Sequence, residues 1–247
     1  MKRILSVLIF CVMMIINFTG GEKMAGANEV NHDYEIDANV YPGQDDWPTW
    51  NQLLRKYMNV KKVKQVIFVQ YEKDTNARVQ LYVKTDDEPY AWTRILQCPA
   101  FVGYNGLGKE VEGDKKTPIG DYGIFTAGGI KKNPGTKADY IQFDDHIFMA
   151  DGPYYNKIVD DRKIPMSKLK DYEPDPFNNA SPAFNYGLFI DYNKECIPGK
   201  GAGIFMHCTG AYDYTSGCVS VSEDDMKFIL QNVDNNVRIC IFPRDWN

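Results

Sequence analysis

The sequence predicts a mostly β protein of the α+β class, in which two mixed β-sheets pack as a sandwich with a few short helices. Short apolar runs separated by turn residues dominate the chain, whereas only two segments show a clear helical periodicity. Aromatic residues make up 13% of the 247 residues, which also favours strands. Hydrophobic residues at 44% and charged residues at 25% are usual for a globular protein with a buried core.

The first 27 residues have the pattern of a secretory signal peptide. Lys2 and Arg3 precede an apolar, uncharged run over 4–18, and Ala25 and Ala27 provide the small residues that a signal peptidase recognises. The run is shorter than the about 20 residues that a membrane-spanning helix needs. We therefore expect an exported chain that starts at Asn28, with an uncleaved membrane anchor as the alternative.

Residues 28–60 are predicted to form a polar lead-in that ends in a short helix. Trp50, Leu53, Leu54 and Tyr57 recur at the i, i+3, i+4 and i+7 spacing of one helix face. We expect this apolar stripe to pack against the domain that follows.

Residues 61–247 are predicted to form a single domain built mainly of strands. Its clearest helix starts with Ser222 and Asp225, which have the spacing of a capping box. In chain order, the predicted segments are the strands 65–70, 78–84 and 92–101, the loop-rich stretch 128–185, the strands 187–192 and 203–207, the helix 222–233 and the closing strand 237–242.

Charge and motif spacing argue against two classes of partner. A net charge of −5 disfavours duplex nucleic acid, because a protein needs a basic face to neutralise phosphates. Residues 103–109 have the spacing of a phosphate loop, but Glu110 stands where such a loop needs Ser or Thr, so we interpret them as a turn. No His-Glu-x-x-His motif and no Cys pair with zinc spacing occurs, and no metal is expected.

A histidine and a cysteine near the C-terminus are the candidates for covalent chemistry. His207 ends a predicted buried strand, and Cys218 follows it eleven residues later. A neighbouring imidazole can take the proton of a thiol and so activate the sulfur as a nucleophile. The spacing alone leaves open that the two side chains never meet. After signal cleavage an odd number of cysteines remains, so at least one thiol is unpaired. The disulfide pairing among Cys98, Cys196, Cys208 and Cys240 is open.

The segment that holds these two residues resembles the C-terminal signature of the YkuD-type L,D-transpeptidases, which is a His, a loop and then Ser/Thr-His-Gly-Cys. Here Thr-Ser-Gly-Cys stands at 215–218. Residues 112–122 are similar to the family's Asp…Thr-Pro-x-Gly-x-Tyr/Phe pattern. The resemblance covers nearly the whole chain after the signal peptide, and its further segments are 153–156, 190–193, 198–201 and 204–207.

The resemblance implies a YkuD-like fold and a role for individual residues. By it, Cys218 is the nucleophile, His207 is its base, and the carbonyl of Cys208 orients the imidazole. Backbone donors around Ser216 and Gly217 are expected to stabilise the oxyanion. The residues that the resemblance suggests for substrate binding are Tyr155, Asn156, Asn193 and Ser220.

The activity that the resemblance implies is acyl transfer on peptidoglycan stem peptides outside the cytoplasmic membrane, in the cell wall or as a secreted protein. A thioester at Cys218 would pass to an amine to form a cross-link, without a metal or an organic cofactor, and we expect a monomer. The alternatives are trimming of tetrapeptide stems as an L,D-carboxypeptidase and a catalytically silent wall-binding module. Ser216 replaces the His of the common motif and Ser220 replaces its usual Arg, which leaves acceptor choice and efficiency open.

Overall fold

A computed structural model describes residues 48–86, 91–164 and 177–243 of the chain. The predicted signal peptide and most of the lead-in lie outside the described residues. Within these three ranges, no helix is long and apolar enough to cross a membrane.

The described residues form a mostly β protein with two α-helices, which confirms the predicted fold class. The first predicted hairpin, the third strand, both helices and the closing strand all occur, with small shifts of their ends. In chain order the elements are α1 (Trp50–Met58), β1 (Gln65–Lys73), β2 (Asn76–Lys84), β3 (Trp92–Phe101), β4 (Gly120–Tyr122), β5 (Ile124–Gly129), β6 (Tyr140–Gln142), β7 (Ile147–Ala150), β8 (Lys157–Asp160), β9 (Gly187–Ile190), β10 (Phe205–Cys208), β11 (Val219–Val221), α2 (Glu223–Gln231) and β12 (Arg238–Phe242).

Ten of these strands form one mixed sheet in the order β4-β12-β1-β2-β3-β11-β10-β9-β5-β6, and β7 pairs with β8 in a small antiparallel sheet. The large sheet must curl back on itself, because only Gly123 separates edge strand β4 from β5, which lies near the opposite edge. Two hydrogen bonds between Gly123 and Asp191 stabilise this junction. The N–H of Gly123 donates to Asp191 Oδ1 at 2.7 Å, and the N–H of Asp191 donates to the carbonyl of Gly123 at 3.1 Å.

The two faces of β10 and β11 have different neighbours. Met206 and Cys208 of β10 and Val219 and Val221 of β11 point into the main core. The predicted apolar face of α2 covers the same core, with Met226, Ile229 and Leu230 buried. Side chains alternate along a strand, so the residues between these positions face the other side of the sheet, towards a smaller cluster rich in phenylalanine.

The helix α1 caps a second small core at the other end of the sheet. Thr49 and Gln52 form a reciprocal capping box at its start. Trp50, Leu53 and Tyr57 are buried, and the Trp50 ring lies 4.7 Å from that of Phe68 in β1. The predicted helical stripe is therefore the face that packs on the domain.

A buried carboxylate ties α1 to two strands. Asp121 of β4 accepts a hydrogen bond from Lys56 Nζ at 2.7 Å, one from the Tyr57 hydroxyl, and one from Arg238 Nε at 2.9 Å. Burial alone would raise the pKa of Asp121, but these donors outweigh it and lower the pKa below 3.8. The carboxylate is therefore ionised at neutral pH and holds the helix, β4 and β12 together.

Replacement of this carboxylate should destabilise the protein more than replacement of one of its exposed partners. We expect Asp121→Ala to lower the free energy of unfolding by about 2 kcal/mol or more, because it leaves the half-buried Arg238 without its counterion. Lys56→Ala is the matched control and should cost less than about 1 kcal/mol, since that lysine is largely exposed. Urea unfolding of both variants measures this, and equal losses would contradict the assignment.

Candidate active site

The pairing of β10 with β11 places the predicted nucleophile and base on one face of the sheet. The two strands are parallel, with His207 opposite Ser220. Cys218 directly precedes β11, and its sulfur accepts a hydrogen bond from the N–H of Phe205 at 3.4 Å. Cys218 is thus offset from His207 by one strand and two residues, about 8 Å between Cα atoms. The side chains of His207, Cys218 and Ser220 project from the same face.

The surroundings of His207 favour a neutral imidazole that is protonated on Nδ1. Its Nδ1 lies 2.8 Å from the carbonyl oxygen of Cys208. A carbonyl can only accept, so Nδ1 carries the proton and Nε2 keeps a lone pair. The ring stacks on Phe184 at 5.1 Å and is 9% exposed. Burial lowers the pKa of His207 below 6.5, more than the bonds to the carbonyls of Cys208 and Ala183 raise it.

The sulfur of Cys218 contacts two backbone groups. Its S–H donates to the carbonyl of Gly203 at 3.4 Å, while the Phe205 N–H points at the same sulfur. That backbone donor would favour a thiolate once the proton has left, since hydrogen bonding to a charged form stabilises it. Cys218 is partly buried.

Two threonines fix the backbone of Cys218. The carbonyl of Cys218 accepts from Thr117 Oγ1 at 3.0 Å and from Thr215 Oγ1 at 2.6 Å. Thr117 Oγ1 also accepts from the N–H of Gly103 at 2.8 Å. The turn over 103–109, which has the spacing of a phosphate loop, is therefore linked through Thr117 to the backbone of Cys218.

The backbone conformation and the close packing at Gly217 both require a glycine. Its φ is +135°, and a Cβ there would lie 2.8 Å from the carbonyl oxygen of Lys116. Its N–H donates to Thr215 Oγ1 at 3.1 Å. An oxyanion role for this N–H, which we predict from the resemblance, would require that internal bond to yield.

A buried lysine fills the space beside this turn. The side chain of Lys109 is 3% exposed and pairs with Asp114 at 2.8 Å. A Cβ on Gly217 would lie 3.6 Å from Lys109 Nζ, and a Cβ on Gly201 would lie 2.4 Å from Lys109 Cε. The two glycines thus leave room for the Lys109 side chain, which packs between the 215–218 turn and the 199–203 loop.

The polar atoms of three predicted substrate-binding residues are used inside the protein. The Tyr155 hydroxyl donates to Glu112 Oε2 at 2.9 Å and accepts from the N–H of Gly201 at 3.0 Å. Asn156 Nδ2 donates to the carbonyls of Tyr192 and Asn193, and its Oδ1 accepts from Gly203 N–H. These contacts shape the loop that ends at Gly203, so direct contact with substrate stays a prediction that the bonding does not favour.

The remaining predicted residues differ in their surroundings. Asn193 bonds through Nδ2 to the carbonyls of Ile197 and Gly201, again within the loop. Ser216 is partly exposed beside the nucleophile. Ser220 is 1% exposed, and its Oγ has no hydrogen-bond partner in the described part of the chain. Of the four predicted substrate-binding residues, Ser220 is therefore the one that shares the face of Cys218 and His207.

The other cysteines differ from Cys218 in burial. All five cysteines of the described residues are free thiols, and Cys98, Cys208 and Cys240 are buried. Burial raises the pKa of Cys208 to about 12 and also raises the pKa of Cys98 and that of Cys240. Cys196 lies in a surface loop. In the three described ranges, no group of three His, Cys, Asp or Glu is placed to hold a metal ion.

These differences predict a pattern of thiol labelling. With iodoacetamide at pH 7 and the protein folded, we expect label on Cys218 and on the loop residue Cys196, but not on the three buried thiols, because they are sterically covered and burial raises the pKa of each. Peptide mapping by mass spectrometry measures the pattern. Labelling of Cys98, Cys208 or Cys240 at the rate of Cys218 would contradict the described site, and urea-unfolded protein is the control in which all of these thiols react.

Comparison with known proteins gives one family. The family model of the L,D-transpeptidase catalytic domain, YkuD, matches residues 64–241, which is more than half of the chain. Among solved structures, L,D-transpeptidase 1 of Mycobacterium tuberculosis is similar at 13% identity and a TM-score of 0.33, over 72% of this chain and 61% of that one. The chain thus spans less than two thirds of that protein, and the assignment rests on the family match alone. A search of curated proteins finds no match.

Proposed function

The chain belongs to the YkuD family of L,D-transpeptidase catalytic domains, and from this premise we propose that it is an exported cysteine acyltransferase acting on peptidoglycan stem peptides. Cys218 is the nucleophile and His207 is its base. The observation that carries the proposal is the placement of a half-buried thiol and a neutral imidazole on one face of β10 and β11.

The reaction begins with transfer of the Cys218 proton to Nε2 of His207. The thiolate attacks the carbonyl carbon of the third residue of a tetrapeptide stem, and a C–S bond forms. When the tetrahedral intermediate collapses, the C–N bond to the terminal D-residue breaks, and His207 returns the proton to the leaving amine. The products of this half-reaction are a thioester at Cys218 and a free D-amino acid.

The second half-reaction resolves the thioester. An amine of a second stem attacks the thioester carbonyl and gives its proton to His207, the C–S bond breaks, and the thiolate of Cys218 recovers the proton. This route forms a cross-link. Attack by water in place of the amine would release a tripeptide stem, which is the L,D-carboxypeptidase alternative.

We propose that charge separation follows substrate binding. Because burial penalises the imidazolium, the resting pair is a thiol and a neutral imidazole and not a preformed thiolate–imidazolium pair. The proton would then move from the Cys218 sulfur to Nε2 of His207 when the substrate reaches the sulfur. We propose that the backbone donor of Phe205 stabilises the thiolate at that moment.

The product analysis of three variants tests this proposal. With a disaccharide-tetrapeptide as substrate, we expect Cys218→Ala and His207→Ala to lose at least about 1,000-fold of the turnover, because each removes one partner of the proton transfer. Cys196→Ala is the matched control and should keep it. Mass spectrometry separates the outcomes: a cross-linked dimer supports transpeptidation, and tripeptide alone indicates trimming. Unchanged turnover in folded Cys218→Ala would contradict the mechanism, and an inactive wild type would favour the silent wall-binding module.

The pH dependence should report His207. The base must be neutral, and its pKa is lowered, so kcat/KM should fall only at pH values below 6.5. In the unfolded chain the same ring takes a proton near pH 6.5, so the stability gained by burying the neutral ring is present above 6.5 and lost as the pH falls below it. Urea unfolding at pH 7 and pH 5 should show a smaller loss in His207→Gln than in the wild type. An acid limb above pH 6.5 would contradict the burial argument.

Export is the remaining part of the proposal. It rests on the signal-peptide pattern of residues 1–27 and on the extracellular location of the proposed substrate. Sequencing of the N-terminus of protein recovered from the cell envelope tests it directly, with Asn28 as the expected first residue. A membrane-embedded chain that still starts at Met1 would indicate an anchor.

A further inference from the structure

Three exposed tyrosines form a continuous aromatic surface beside the nucleophile turn, and we name Tyr104, Tyr212 and Tyr214 the tyrosine platform. Their side chains are 56%, 37% and 40% exposed. The rings of Tyr104 and Tyr214 lie 5.1 Å apart edge to face, and those of Tyr212 and Tyr214 lie 5.2 Å apart and stacked. Clustered exposed aromatic rings of this kind mark binding sites more often than single ones do.

The platform presents both apolar ring surface and polar groups to solvent. Within the described part of the chain, none of the three phenol hydroxyls has a hydrogen-bond partner in the protein. Lys115 Nζ lies over the Tyr104 ring, 5.5 Å from its centre. Each tyrosine therefore offers exposed ring surface and a hydroxyl that can donate and accept.

The backbone under the platform is already paired. The N–H of Tyr104 donates to the carbonyl of Thr215 at 2.9 Å, and the N–H of Thr215 donates to the carbonyl of Val102 at 2.9 Å. A peptide that bound by adding a strand would need free backbone groups at this edge. Recognition on the platform thus falls to the exposed ring surfaces and the hydroxyls, which suit a ligand with an apolar face and a polar rim.

We propose that the tyrosine platform binds a pyranose ring of the glycan strand to which the stem peptide is attached. A hexosamine ring has an apolar C–H face that stacks on aromatic rings and hydroxyl and N-acetyl groups that hydrogen-bond at its edge. This proposal rests on the proposed function, since it supposes that a stem peptide reacts at Cys218.

The distances along the chain fit this arrangement. Tyr214 precedes Cys218 by four residues, so their Cα atoms are at most about 14 Å apart. The attacked carbonyl belongs to the third stem residue, and three extended residues span about 10 Å from that carbonyl back to the sugar. A stem with its third residue at Cys218 can therefore place its sugar on the platform.

The direct test is binding of a soluble glycan that carries no peptide. We expect the full chain to bind chitotetraose, a β-1,4-linked N-acetylglucosamine tetramer, in isothermal titration calorimetry. Tyr214→Ala and Tyr104→Ala should each weaken this binding about tenfold, because each removes one stacking ring. Phe228→Ala is the matched control, an exposed aromatic residue on α2 that should leave binding unchanged. Circular dichroism melting checks that each variant is folded.

A kinetic comparison shows whether the sugar contact serves the reaction. Tyr214→Ala should raise KM for a disaccharide-tetrapeptide about tenfold with kcat kept, and leave KM for the free tetrapeptide unchanged. No binding of chitotetraose, or equal binding by Tyr214→Ala, would overturn the proposal. So would an equal rise in KM for both substrates, which would assign the platform to the peptide. If the protein binds chitotetraose but does not turn over the disaccharide-tetrapeptide, the proposed function is overturned and the glycan site remains supported.

Discussion

The parallel pairing of β10 with β11 is the constraint on which the site depends. One face of this pair carries Met206 and Val219 into the main core, and that burial fixes the register. A slip of one residue would exchange the faces and drive His207 into the core. The hydrophobic face thus determines where the imidazole and the sulfur of Cys218 stand, although neither side chain contributes much to the core itself.

The strand pairing fixes the face on which Cys218 lies, and the loops around its sulfur fix its backbone and side chain. Thr117 and Thr215 both donate to the carbonyl of Cys218, so two segments that are distant in sequence hold the same peptide group. Lys109 fills the space between Gly201 and Gly217 and connects that peptide group to the 199–203 loop. The carbonyl of Gly203 then accepts the S–H of Cys218. The thiol is thereby positioned before any substrate arrives, which lowers the entropy lost on reaching the reactive geometry.

The sequence allowed prediction of the features that local periodicity governs. The stripe that begins at Trp50, the first hairpin and the capped helix after Ser222 could be found because burial repeats at a fixed spacing. The curl of the large sheet at Gly123 could not, since it depends on pairing between distant strands. The internal hydrogen bonds of the Asn156 amide could not be predicted either, because only a folded structure shows whether a polar side chain is already satisfied.

The central claim is that the acyl group passes through a thioester on Cys218. The most direct measurement is rapid acid quenching of the full chain during turnover of a disaccharide-tetrapeptide, followed by intact-mass analysis and peptide mapping. The account predicts a transient mass increase equal to the disaccharide-tripeptide acyl group, located on the peptide that contains Cys218 and removed by neutral hydroxylamine. Product formation with the acyl group on Cys196, or with no acyl-enzyme on any cysteine even when the acceptor is withheld, would contradict it.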